Sequence, residues 1–404
     1  MGMVVCLAIL ALGYYSRGTL IVGLFASLAF GSTAIMTLPS LGGSSPLIYT
    51  FFAGLLLLFV AARKRIWRDL GYVFGNVGTL WLLAALMVYA VIGAWVFPRL
   101  FAGQTFAFVQ SSEHRGAIVE TALTPVSANI SQTGYFVLGG LTAIALCILL
   151  LRGDRLHLVR RGFFAWCILH ATMGLLDLAG KLIGVGDILA PIRTASYVLL
   201  TESTEAGFWR IVGSYSEASA FGGVSVACLA FTYTYWRKTG SGLAKWLSAT
   251  LLCLTLLSTS STAYVALAVM SLPVLISLLR SLLSGRIVSQ DILILAVASV
   301  GLLAVLAASL YREDFLDPVE RLVDTTITNK INSTSGKERT YWNIKSLQAL
   351  ADTGGVGIGM GSSRASSWPI AVASQLGLIG SILMLGLAIV VARGMGSLAR
   401  WAGP

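Results

Sequence analysis

The sequence predicts an all-α polytopic transmembrane bundle of about eleven (ten to twelve) spans, one membrane domain over 1–404, with a loop of short amphipathic helices at 311–365. Three observations carry this. Hydrophobic residues make up 56% of the 404 residues, charged residues only 11%, and mean hydropathy is +0.84. Soluble domains carry about 25% charged residues, so the apolar surplus here calls for an apolar solvent. The apolar residues come in continuous runs, such as Leu55 to Ala62 and Ile292 to Leu310. A barrel strand would alternate instead, and in lipid the remaining choice is a helix. Finally, Lys and Arg collect in alternate short loops.

The first span is read at 2–15, short and without the basic leader of a cleaved signal. A second is placed at 19–38 and a third at 46–62, the latter closed by Arg63-Lys64-Arg65 and Arg68. The fourth, 76–97, opens onto a first long loop at 98–133. The fifth, 134–151, ends at Arg152, Arg155, Arg160 and Arg161. The sixth, 162–184, contains Asp177 and Lys181, four apart and therefore on one helix face. That pair suits either bundle packing or the lining of an outer cavity. A second long loop spans 185–217, then a seventh span at 218–236 ends near Arg237, Lys238 and Lys245. The eighth and ninth, 244–258 and 262–279, are separated only by Thr259, Ser260 and Ser261, which leaves the count open by one. Arg280 and Arg286 precede the tenth, 291–310; the last, 366–392, is followed by Arg393 and Arg400.

This alternation assigns the basic loops and the C-terminus to the cytoplasm and the N-terminus to the outside. The formal charge of +11 is then a topology signal rather than a nucleic-acid footprint, and no nucleic-acid partner is expected. The three long loops lie on the other side and hold thirteen of the seventeen acidic residues. Loops rich in both charge signs are the natural place for chemistry. The five cysteines sit inside apolar runs and suggest no disulfide framework, and His114, His157 and His170 share no metal-ligand spacing. There is no Walker A motif, no strand-to-helix GxGxxG and no inverted repeat. Nucleotide-driven pumping and repeat-built transport are disfavoured accordingly.

Two constellations stand out. Phe208 to Phe221 runs from the second long loop into a span and sets Glu217 at the outer mouth of that helix. An uncompensated charge at bilayer depth costs roughly 2.5–3.5 kcal/mol on insertion scales. Glu217 is therefore either a base or sugar-binding carboxylate in a wet cavity, or an acid favoured by the helix dipole alone. In the third long loop, Pro318 to Asn329 suits a surface helix, and Ser335 to Leu350 a second amphipathic one. The run Gly354-Gly355-Val356-Gly357-Ile358-Gly359-Met360-Gly361-Ser362-Ser363-Arg364 then feeds the last span. It suits either a backbone cradle for phosphate, with Arg364 beside it, or a flexible linker.

Taken together, these segments resemble the O-antigen ligase and polymerase superfamily of bacterial cell-envelope enzymes. The resemblance covers roughly Arg210 to Leu387. It rests on Arg210…Gly213-Ser214-Tyr215-Ser216-Glu217-Ala218-Ser219, on the break Leu254 to Tyr264, and on Arg339…Trp342 with the glycine run, Arg364 and Gln375-Leu376-Gly377-Leu378-Ile379-Gly380. It implies a multi-pass enzyme of the bacterial inner membrane, active on the periplasmic face in cell-surface polysaccharide or exopolysaccharide synthesis. Its substrate would be an oligosaccharide on undecaprenyl pyrophosphate, used without a cofactor or metal, and a chain-length regulator is a possible partner. By match to the motif positions, Arg210 and Glu217 are the catalytic candidates. Arg339, Arg364, Tyr341, Tyr215 and Ser366 are candidates for holding pyrophosphate or glycan. Ligases of this group usually place a histidine after the glycine run; here Arg364-Ala365-Ser366-Ser367 stands there, which tilts the expectation toward a polymerase. The alternatives are ligase-type transfer to a lipid or protein acceptor, and a flippase for the same lipid-linked unit.

Overall fold

A computed structural model describes the chain except for residues 16, 17, 38–44, 111–117, 198, 202, 203, 206, 207, 312–333 and 402–404. Helices dominate. They are α1 (Gly2–Tyr15), α2 (Thr19–Ser27), α3 (Ile48–Ala61), α4 (Ile66–Asn76), α5 (Thr79–Leu100), α6 (Ser127–Leu150) and α7 (Leu156–Ile183). Beyond the second long loop come α8 (Ala218–Thr239), α9 (Gly242–Leu257), α10 (Ser261–Leu283), α11 (Ser289–Tyr311), α12 (Thr334–Asp352) and α13 (Trp368–Trp401). Five of these segments are long and apolar enough to cross a membrane: Thr79–Leu100, Ser127–Leu150, Gly153–Ile183, Ser261–Leu283 and Trp368–Gly394. Shorter apolar helices lie at Gly2–Tyr15, Ile48–Ala61, Gly242–Leu257 and Ser289–Leu303. Leu58, Val88, Ile92, Leu272 and Leu385 stand exposed on the outside of the bundle, as side chains facing lipid do.

Among the described residues four core clusters form, and the two largest hold most of the helices. Ile9, Leu24, Phe52, Leu56, Met87 and Ile148 join α1, α2, α3, α5 and α6. Cys167, Phe221, Leu251 and Leu254 join α7, α8 and α9. The packing order runs α13, α5, α6, α3, α2, α7, with α8, α9 and α10 beyond.

The structure departs from the sequence expectation in five places. The span placed at 19–38 is helical only to Ser27. Beyond it the backbone is claimed by a distant loop: Ser32 N donates to Ser214 O at 2.9 Å, and Ala34 N to Thr194 Oγ1 at 3.0 Å. The basic loop after α3 contains a helix, α4, whose Ile66, Leu70, Val73 and Phe74 pack on the core while Trp67 and Tyr72 stay outside. The loop at 98–133 is shorter than expected, because α5 runs to Leu100 and α6 starts at Ser127. What remains folds as an antiparallel hairpin of β1 (Phe106–Gln110) and β2 (Ile118–Ala122), paired from Phe106↔Ala122 to Gln110↔Ile118. A second, two-residue pair, β3 (Thr204–Glu205) and β4 (Phe208–Trp209), sits in the loop before α8. The last span bends at Gly377, whose φ of 66° is left-handed.

The break between α9 and α10 falls where the sequence placed it. Thr259 turns the chain at φ 46°, and the Ser260 hydroxyl accepts the Ala263 N–H to start α10. The amphipathic helix expected at 335–350 is α12. The one expected at 318–329, and His114, lie outside the described residues.

Candidate functional site

Asp177, 5% exposed near the end of α7, organises the first group of expected site residues. Its Oδ2 accepts Lys181 Nζ at 2.9 Å and the backbone N–H groups of Val212 and Gly213 at 2.8 and 3.1 Å. Its Oδ1 accepts Arg193 Nη2 at 2.9 Å. Arg193 also donates through Nε to Gly213 O at 2.9 Å and pairs with Asp187 at 2.5 Å. Two carboxylates and two cations thus close a neutral buried network, the condition under which buried charge is tolerated. The network grips the chain just where it turns at Gly213 (φ 56°).

Lys181 completes the grip by donating to the Arg210 carbonyl at 2.6 Å. Arg210 is half-buried, and its guanidinium lies within electrostatic reach of Tyr264 in the first turn of α10. Tyr215 is buried, and its hydroxyl donates to Leu28 O at 2.7 Å. Its ring covers Gly31, where an added Cβ would sit 2.1 Å from it, so this tyrosine faces the protein interior. Glu217 is the N-cap of α8 and half-buried. Its carboxylate caps no backbone N–H and accepts the Ser219 hydroxyl.

The second group is built on the glycine run, which is a packed structure and not a free linker. Gly354, Gly355, Gly357, Gly359 and Gly361 all take positive φ, a region open to glycine without steric cost. A Cβ on Gly359 would come within 2.8 Å of Gly93 O in α5, and one on Gly361 within 2.3 Å of Ala128 O in α6. The Asn129 amide donates to Met360 O and to Ser362 Oγ, each at 2.8 Å. Gln375 clamps the run from α13: its Oε1 accepts Gly361 N at 2.7 Å and its Nε2 donates to Ser363 O at 2.8 Å.

Beyond the run, Arg364 N donates to Phe108 O at 3.0 Å, which pins its backbone to β1 and leaves the side chain exposed. Asn343 Oδ1 accepts Ser366 N and Ser367 N, both at 3.1 Å. Arg339 lies one turn before Asn343 on the same face of α12 and is exposed. Tyr341 packs its ring on Phe108, 5.8 Å between centroids, and donates to Glu120 Oε2 at 2.7 Å. That bond to Glu120 pushes the Tyr341 phenol above its usual value. Lys345 pairs with the other Glu120 oxygen at 3.4 Å.

Arg339, Tyr341, Arg364 and Ser366 therefore come together on a platform of hairpin, α12 and glycine run. Arg210, Tyr215 and Glu217 lie along the segment that leads into α8, with Tyr215 turned to the interior and Glu217 bonded to Ser219. The α6, α3 and α2 helices stand between the two in the packing order. Sequence reasoning missed Arg193, Glu120, Asn343 and Asn129 as organisers. A lone arginine after the apolar stretch Leu189–Ile192 was the signal available for the first; for the others there was none, since each acts through partners far away in the chain. No group of three or more His, Cys, Asp or Glu among the described residues is placed to hold a metal ion. No family model, curated protein or solved structure matches the chain.

Proposed function

We propose that the chain is a membrane glycosyltransferase that polymerises oligosaccharide units carried on a polyprenyl pyrophosphate, working at the face that bears the long loops. The observation that carries this is the packed glycine run. A segment built so tightly against α5, α6 and α13 holds its C-terminal end, and Arg364 with it, in a fixed place. Asn343 then ties Ser366 and Ser367 to α12, the helix that carries Arg339. Guanidinium groups suit a diphosphate because their planar donors match its oxygens.

The sequence predicts Arg210, Arg339 and Arg364 around one diphosphate; with the cations divided between two groups, we assign them instead to two pyrophosphates, and a polymerase has two. Both of its substrates, the growing chain and the incoming unit, end in a lipid pyrophosphate. In this reading Arg210 takes the pyrophosphate that leaves, and Arg339 and Arg364 hold the one that stays. An acceptor hydroxyl attacks the anomeric carbon of the donor. The bond from that carbon to the phosphate oxygen breaks, Glu217 takes the hydroxyl proton, and the negative charge remains on the departing pyrophosphate beside Arg210. The lipid tails stay in the bilayer throughout.

The test is polymer length in cells, and on purified protein given synthetic polyprenyl-pyrophosphate oligosaccharide. Arg210→Ala, Arg339→Ala and Arg364→Ala are each expected to abolish long polymer while the amount of protein in the membrane holds. Unchanged chain lengths in all three would remove the reading. Product appearing only on an acceptor without a polyprenyl anchor would replace polymerase by ligase.

A further inference from the structure

A basic hollow lies at the other end of the helices. Arg63, Lys64 and Arg65 from the α3–α4 turn and Arg68 from the start of α4 meet Arg152 from the α6–α7 turn around a hollow of about 460 Å³. Arg155 is within electrostatic reach of both Arg63 and Arg152. The one carboxylate in the lining, Asp69, is already paired with Arg63 at 3.2 Å. Arg63 Nη1 is buried without a hydrogen-bond partner among the described residues. Topology alone accounts for basic residues on this side of a membrane. It does not account for two separate turns converging on one cavity whose acid is spent.

We infer that this hollow seats the headgroup of an anionic phospholipid. The choice of a lipid over a soluble phosphate rests on α4. This helix buries Val73, packs Ile66 and Leu70 against the core and turns Trp67 outward, 83% exposed, with Tyr72 and Trp81 also exposed nearby. Exposed Trp and Tyr on an amphipathic helix mark the level of the headgroups. The hollow therefore opens where phospholipid phosphates lie, and basic pockets between helices on the cytoplasmic side are suited to such headgroups. The site is independent of the transfer chemistry proposed above.

The full chain in detergent, examined by native mass spectrometry with phosphatidylglycerol, phosphatidylcholine or inorganic phosphate, tests this. Phosphatidylglycerol is expected to stay bound where phosphatidylcholine is lost. The double variant Arg65→Gln/Arg152→Gln, at two exposed positions, should weaken its retention about thirtyfold, the effect of two cations near an anionic headgroup. Arg65→Lys/Arg152→Lys should keep most of it, and Arg68→Gln should give a smaller loss in the same direction. Equal retention of the two lipids, or full retention by the glutamine double variant, overturns the inference. Displacement of phosphatidylglycerol by millimolar inorganic phosphate also overturns it, in favour of a soluble anion.

Discussion

Asp177 answers to four donors, and its removal shows what such a carboxylate does. Asp177→Asn removes the carboxylate between Lys181 and Arg193 and leaves the network, with Asp187 alone, one positive charge in excess. Breaking a buried pair this way costs about 3–5 kcal/mol, so the variant is expected to unfold at markedly lower temperature in detergent. Glu217→Gln, by contrast, should leave the melting temperature nearly unchanged, because the carboxylate caps no backbone N–H, and should stop polymer extension; a fluorescence melt beside a chain-length assay separates the two. At this scale the sequence revealed Asp177 with Lys181 through their helical spacing. It could not reveal Arg193, whose bond to Asp177 joins a loop to a helix, nor that Tyr215 would spend its hydroxyl on Leu28 inside the fold.

Among the elements, the glycine run and the hairpin were the least legible. Alternating glycines mean either slack or crowding, and only the neighbours decide; here they are backbone atoms of α5, α6 and α13. Two substitutions show the contrast. Gly354→Ala, at φ 59° with open space around it, should cost about 1–2 kcal/mol, the ordinary penalty of an L-residue in the left-handed region. Gly361→Ala adds a contact of 2.3 Å with Ala128 O to that same penalty and should destabilise far more, with loss of the Arg364 platform. Thermal unfolding of the two purified variants gives the comparison. The hairpin escaped because strands of five residues are too short for alternation to declare itself beside long helices. The second expected span failed for a related reason. Hydropathy continues past Ser27, but Ser32 and Ala34 have partners more than a hundred residues away, and hydropathy does not register those bonds.

Across the molecule, the helical class and the placement of most helices were readable from apolar run length, and the separation of the two arginine groups was not. Position along the chain says which loops share a side of the bundle, while the order of helices within it depends on side-chain fit. Sidedness itself can be measured. In a background with the native cysteines replaced, Lys337→Cys on exposed α12 should react with a membrane-impermeant maleimide added to intact cells, and Lys64→Cys should react only after the cells are opened. Labelling of both from outside would invert or dissolve the assignment of the long-loop face.

The early end of α9 at Leu257 bears on how a substrate arrives. Its 16 residues extend about 24 Å, while the hydrocarbon layer is about 30 Å thick. Local thinning of the lipid is one way for a bilayer to accommodate a helix that short. The Leu257 end is joined to the arginine-bearing loop by the bond from Ile211 N to Leu257 O, so a bilayer thinned to match α9 would be thinned next to Arg210. On the proposed function, a phosphate riding on a long isoprenoid would reach that arginine by drifting sideways in its own leaflet, with no need to climb into water.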